Sequence, residues 1–81
     1  MIKARVYVTL KKSVFDPQGK TIHDALQSLG YRGVADVRQG KYFEVAFEGL
    51  GGEEARAAAE EIARRVLSNP VMEGYRVEVE A

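Results

Sequence analysis

Ile2, Ala4, Val6, Val8 and Leu10 alternate with Lys3, Arg5, Tyr7, Thr9 and Lys11. Successive side chains of a strand point to opposite faces, so this period of two predicts a strand with one apolar and one polar face. The period then changes. Ile22, Ala25, Leu26 and Leu29 follow the i, i+3, i+4, i+7 spacing of an amphipathic helix. Gly30 supplies the left-handed residue that commonly ends one. Alternation returns over residues 34–39 and 42–48. Ala35, Val37, Phe43, Val45 and Phe47 are expected to face inward, with Asp36, Arg38, Tyr42, Glu44 and Glu48 outward. Matching faces across a hairpin sets Val37 opposite Phe43 and Arg38 opposite Tyr42. Gln39-Gly40-Lys41 is then a three-residue loop with glycine available for a positive φ.

Gly49-Leu50-Gly51-Gly52 leads into a second helical pattern, with Ala55, Ala58, Ala59, Ile62, Val66 and Leu67 as its buried stripe. Glu53 and Glu54 in the first turn and Arg64 and Arg65 near the last complement the helix dipole. A final strand alternates Tyr75, Val77 and Val79 with Arg76, Glu78 and Glu80. The order β-α-β-β-α-β with right-handed crossovers implies a single α+β domain over residues 1–81. Its expected fold is ferredoxin-like, a four-stranded antiparallel sheet with two helices on one face. The opposite face would be open. Tyr7, Tyr42 and Glu44 lie on it, with Arg5, Thr9, Asp36, Arg38, Glu48, Arg76, Glu78 and Glu80, a mixture suited to a partner surface.

Twelve basic and twelve acidic residues give zero formal charge. The signs are interspersed, which argues against nucleic acid as the main partner. No long apolar run is present, so no membrane association is expected and the cytoplasm is the default location. A chain of 81 residues without cysteine has a thin core and no covalent staple, so self-association into a homodimer or homotetramer is the expected route to added stability.

No catalytic constellation emerges. His23, the only histidine, lacks the orienting partner that base catalysis or metal ligation requires. Neither catalytic nor metal-ligating residues are therefore assigned. Asp16-Pro17-Gln18-Gly19 fits a type I turn or a helix start, and its glycine allows close approach of another backbone. Gly19 and the Val71-Met72 pair are the features that folding explains least, and Gly19→Gln is expected to leave the isolated fold almost unchanged. Asn69-Pro70 stops the second helix. That leaves Val71 and Met72 either covering the end of the core or meeting a neighbouring subunit. Arg38 and Lys41 flank the hairpin tip, either solvated or facing a partner carboxylate or phosphate. The same element order builds the RNA-recognition motif, with Tyr7 as a stacking aromatic. Its second signature fails here, because Lys41 is followed by Tyr42 and Glu44 rather than glycine and an aromatic residue. A small-molecule regulatory module of ferredoxin-like type is a further alternative.

The two proline-bearing segments, Asp16-Pro17-Gln18-Gly19 and Asn69-Pro70-Val71-Met72-Glu73-Gly74-Tyr75, together with Gly40-Lys41 between them, resemble the signature segments of the PurS family. The resemblance runs from Val6 to Val79, with Phe15 and Met72 as conservative departures. PurS is the small, non-catalytic subunit of bacterial and archaeal phosphoribosylformylglycinamidine synthase, in purine biosynthesis. The resemblance implies a scaffold that joins a glutaminase subunit, PurQ, to a synthetase subunit, PurL, so that ammonia passes between them. This chain would bind no cofactor alone, ATP and magnesium being used by the synthetase. Asp16, Pro17, Gln18, Gly19, Arg38, Gly40, Lys41, Asn69, Pro70, Val71, Met72, Glu73 and Tyr75 are then the candidate partner contacts.

Overall fold

A computed structural model describes residues 1–80. Strand β1 spans Ile2–Leu10, helix α1 Pro17–Ser28, β2 Gly40–Phe47, α2 Gly52–Ile62 and β3 Glu73–Glu80. A wider π-helical turn, Ala63–Leu67, continues α2. It closes where Ser68 donates its backbone N–H (2.9 Å) and its hydroxyl (2.7 Å) to the Ala63 carbonyl. Gly30, at φ +96°, follows α1 in the left-handed region, as the sequence predicts.

The sheet is antiparallel in the order β2-β1-β3. Val6 stands opposite Phe43 on one side and Val77 on the other. Ala4, Val6 and Val8 of β1 are fully buried beneath Ala59 and Ala63, with Phe43, Phe47, Leu67 and Val79 packed around them. Alanines on α2 let the helix backbone lie close to the sheet, so the core is shallow and built from small side chains.

Several expectations are corrected. The sheet has three strands, not four, because residues 34–39 pair with none. No hairpin forms at Gln39-Gly40-Lys41. Gly40 does not take a positive φ; it begins β2, paired with Thr9. The segment stays with α1 instead. Gln39 donates its N–H to Asp16 at 2.8 Å, and Gln27 donates its side-chain N–H to the Val34 carbonyl at 2.8 Å. Nor do both helices cover the sheet. Only α2 does so, while α1 has no more than marginal contact with any strand or with α2. Leu29 is 74% exposed and Ile22 41%. The same vacancy explains α2, where Ala55, Ala59 and Ala63 are buried but Val66 is 74% exposed, against expectation. The chain is elongated, 50 × 25 × 14 Å, with a radius of gyration of 16.0 Å, whereas a compact chain of this length has about 12 Å.

Asp16 organises the arm formed by α1 and residues 34–39. It is the N-cap of α1, with Pro17 behind it at the first helical position. One carboxylate oxygen accepts from Gly19 N–H at 2.9 Å and the other from Gln39 N–H. These two backbone donors, Gln39 first, hold the carboxyl below its ordinary value of 3.8, with Arg38 adding to the effect. A Cβ on Gly19 would come within 2.2 Å of the Val37 carbonyl oxygen. Gly19 therefore serves the fold, and the expectation that Gly19→Gln spares it is overturned.

Three outcomes follow for the isolated chain. Val6→Ala empties part of the core and should cost about 2 kcal/mol, read as a lower urea midpoint at unchanged slope. Gly19→Ala should part α1 from residues 37–39, seen as faster exchange of the Gln39 amide hydrogen. Because folding depresses the Asp16 pKa, its stabilising effect is complete above the unfolded value near 3.8. It should be lost as pH falls from there through the folded value. The Gly19 and Gln39 amides should lose exchange protection over that acid range, and an Asp16→Asn chain should show a weaker dependence.

Candidate functional site

The three segments singled out in the sequence meet at one end of the sheet, where β1 ends and β2 and β3 begin. A hollow of about 190 Å³ there is lined by Leu10, Asp16, Gln18, Gln39, Gly40, Lys41 and Glu73. Gln39 donates through its side-chain amide to Gln18 Oε1 at 2.6 Å. Lys41 Nζ stands 3.4 Å from Glu73 Oε2. Gly40 is required by packing, since a Cβ would lie 2.6 Å from the Val8 carbonyl oxygen.

Asn69 builds the loop below this hollow. Its side-chain oxygen accepts from Val71 N–H at 3.0 Å, and its carbonyl accepts from Met72 N–H at 3.1 Å and Glu73 N–H at 2.7 Å. Glu73 answers by accepting from Asn69 N–H at 2.8 Å. The Met72 carbonyl accepts from Lys11 N–H at 2.8 Å, tying the loop to the end of β1. Pro70 ends the helical path without burying the residues that follow. Val71 is 78% exposed, so it does not cap the core, and Met72 and Tyr75 are exposed beside it. The result is a rigid loop with an apolar tip. Arg38 donates to the Lys11 and Val14 carbonyls at 3.0 and 2.9 Å. It therefore braces the 11–14 turn. Lys11 and Val14 were missed in the sequence because they act through backbone oxygens, which carry no residue-type signal.

The open sheet face holds the expected tyrosine pair. The Tyr7 and Tyr42 ring centroids are 5.2 Å apart at 41°, and the Arg76 guanidinium lies 4.3 Å from the Tyr7 centroid. Both hydroxyls are engaged, Tyr7 with Glu78 at 3.2 Å and Tyr42 with Glu44 at 2.8 Å. The Tyr42 bond, then Lys3, lowers the Glu44 pKa, while the Glu44 carboxylate raises that of Tyr42. Tyr7 first, then Arg76, lowers that of Glu78. Arg5 bonds to Glu80 and lies 3.4 Å from Glu78, and its pKa is raised by Glu80. Cations on this face are thus matched by carboxylates, leaving little positive potential for phosphate. His23 lies on the α1 arm, 3.2 Å from Asp24 through Nδ1 and 3.4 Å from the Gln27 amide through Nε2.

Comparison with known proteins agrees with the family resemblance. The family profile described as PurS, phosphoribosylformylglycinamidine (FGAM) synthase, matches residues 3–81. The PurS subunit of phosphoribosylformylglycinamidine synthase from Bacillus subtilis is 45% identical over 80 residues, covering 99% of this chain and 94% of the relative. The corresponding Methanocaldococcus jannaschii subunit is 39% identical over 80 residues, covering 99% and 96%. A solved structure of B. subtilis PurS superposes with a TM-score of 0.88 at 44% identity, over 100% of both chains. A chain of the PurLQS structure from Thermotoga maritima superposes with a TM-score of 0.85 at 27% identity, over 99% of both chains. Matched over residues 3–81 by the family profile and 45% identical to the B. subtilis subunit over 99% of its length, the chain belongs to the PurS family of phosphoribosylformylglycinamidine synthase subunits.

Proposed function

We propose that the chain, as a single domain over residues 1–81, is the scaffold subunit that holds a glutaminase, PurQ, and a synthetase, PurL, in register for ammonia transfer in purine biosynthesis. The full-length match to PurS subunits carries this reading, and the assembly named for the T. maritima relative, PurLQS, supports it. The chain's own chemistry agrees. Its polar side chains are spent on capping, bracing and cross-strand pairs, and among the described residues none forms a nucleophile–base pair of the kind covalent catalysis needs. ATP and magnesium belong to the synthetase reaction. No helix among the described residues is long and apolar enough to cross a membrane, and a cytoplasmic site of action follows from the pathway.

The heteromeric contact is assigned to the sheet end where the hollow and the Val71-Met72 tip lie together. The tip is apolar, exposed and held by four hydrogen bonds around Asn69, two between backbone groups and two from backbone N–H to side-chain oxygens. Little ordering entropy is therefore lost when it docks. Gln18, Lys41 and Glu73 supply polar groups at its rim.

The isolated chain should show no glutaminase or ATPase turnover, and adding it to PurL and PurQ should raise glutamine-dependent synthesis. Met72→Glu and Val71→Asp should leave its circular dichroism and urea midpoint unchanged. Each should lower glutamine-dependent synthesis roughly tenfold, the scale of losing one interface anchor. Ammonia-dependent synthesis should fall much less, because free ammonia needs no transfer between subunits. Equal loss in both assays would place the contact elsewhere.

A further inference from the structure

We infer that the hollow at the end of the sheet is a binding site for a free α-amino acid with a carboxamide side chain. Glu73 is its anchor. The Glu73 side chain is 13% exposed, and its Oε1 is fixed by the Asn69 N–H at 2.8 Å. Its Oε2 has only Lys41 Nζ nearby, at 3.4 Å, longer than the roughly 2.7–2.9 Å of a closed charge-assisted bond. A carboxylate so far withdrawn from water gains much from an N–H donor. Lys41 is the more exposed of the two and has three N–H donors to place. Anion and cation thus stand close without closing on each other. A zwitterion bridges them, its ammonium on Glu73 and its carboxylate on Lys41.

The opposite wall asks for an amide. Gln39 donates through its side-chain nitrogen to Gln18 Oε1 at 2.6 Å. That single bond leaves the Gln18 nitrogen and the Gln39 oxygen without a partner among the described residues, and neither is sealed from solvent. They are one donor and one acceptor on two amides already bonded to each other. A carboxamide offers the matching acceptor and donor, whereas an ionised carboxylate only accepts. Leu10 lines the hollow as well and gives the methylenes between the two polar ends an apolar contact.

Charge and size narrow the ligand further. Both Asp16 oxygens are occupied by the Gly19 and Gln39 N–H groups, so Asp16 contributes its charge to the hollow but no open acceptor. Asp16 and Glu73 outweigh Lys41, and the resulting field favours an ammonium group and opposes a second carboxylate or a phosphate. The volume is about 190 Å³, below the roughly 300–1,000 Å³ of pockets that enclose larger ligands. An amino acid fits and a nucleotide does not. Asn69, Gly19 and Gln39 hold the two carboxylates in place beforehand, so binding costs little reorganisation.

Val71 and Met72 do not line the hollow, and the experiment uses the chain alone, so it can fail while the scaffold reading stands. The full chain is titrated with L-glutamine, L-glutamate, L-alanine and ammonium chloride, and its backbone amide resonances are followed by NMR. L-Glutamine should shift the Gly40, Lys41 and Glu73 amides saturably, with a dissociation constant on the order of 1 mM, the scale for a small polar ligand at an open site. L-Glutamate, isosteric but acidic, and L-alanine, which lacks the amide, should bind at least about tenfold more weakly. Glu73→Gln can still accept from the Asn69 N–H, so the urea midpoint should hardly move while L-glutamine binding weakens about tenfold or more. Gln18→Ala should lower L-glutamine to the affinity of L-alanine and leave L-alanine unchanged, a loss of selectivity that a merely structural role would not produce. No saturable shift with L-glutamine would overturn the site. Equal shifts from ammonium chloride would reduce it to a cation site and overturn the amino acid. Equal binding of L-glutamate, or L-glutamine affinity unaltered in both variants, would overturn the assigned contacts and the inference with them.

Discussion

The Asp16 carboxylate governs the shape of this protein. Its two oxygens accept from two backbone donors, Gly19 and Gln39, separated by twenty residues of sequence. One bond starts α1 and the other fixes where residues 34–39 return. Charge-assisted bonds of this kind are stronger than neutral ones, and the buried carboxylate has no alternative partner in water. Close approach of the two backbones requires a residue without a side chain at position 19. Cap, proline and glycine in Asp16-Pro17-Gln18-Gly19 are thus parts of one device that keeps α1 beside its own return segment rather than on the sheet.

What remains after that choice is a three-stranded sheet covered by one helix. It holds together through small residues at close range, Ala59 and Ala63 over Ala4, Val6 and Val8. Such a core is thin for an independent domain. The fold leaves apolar surface on α1, on β2 and on the π-helical turn that continues α2. The elongated shape reflects an α1 arm that has no more than marginal contact with the sheet.

The candidate site follows the same division. Gly19, Gly40, Arg38 and Asn69 were candidate contacts, yet each is occupied with internal structure. Val71, Met72 and Tyr75 also lend their backbones to the loop and to β3, but their side chains stand exposed where the segments converge. The open sheet face, despite its tyrosines, is neutralised by its own carboxylates, so it offers shape and hydrogen bonds more than charge.

Alternation in β1, β2 and β3 and the 3.6-residue period of both helices were legible in the sequence, because side-chain direction follows local geometry alone. The facing of Phe43, Val45 and Phe47, the Tyr7–Tyr42 neighbourhood and the caps around Pro17 and Gly30 were legible for the same reason. Family membership was legible too, since it rests on residue types at fixed spacing. The number of strands was not. Whether 34–39 turns back on β2 or stays with α1 is a contest between a hairpin turn and the Asp16–Gln39 bond, and periodicity is silent on contacts so far apart in sequence. The exposure of Ile22, Leu29 and Val66 was hidden likewise. An apolar stripe states that a helix face needs cover, but only the tertiary structure decides whether the same chain provides it.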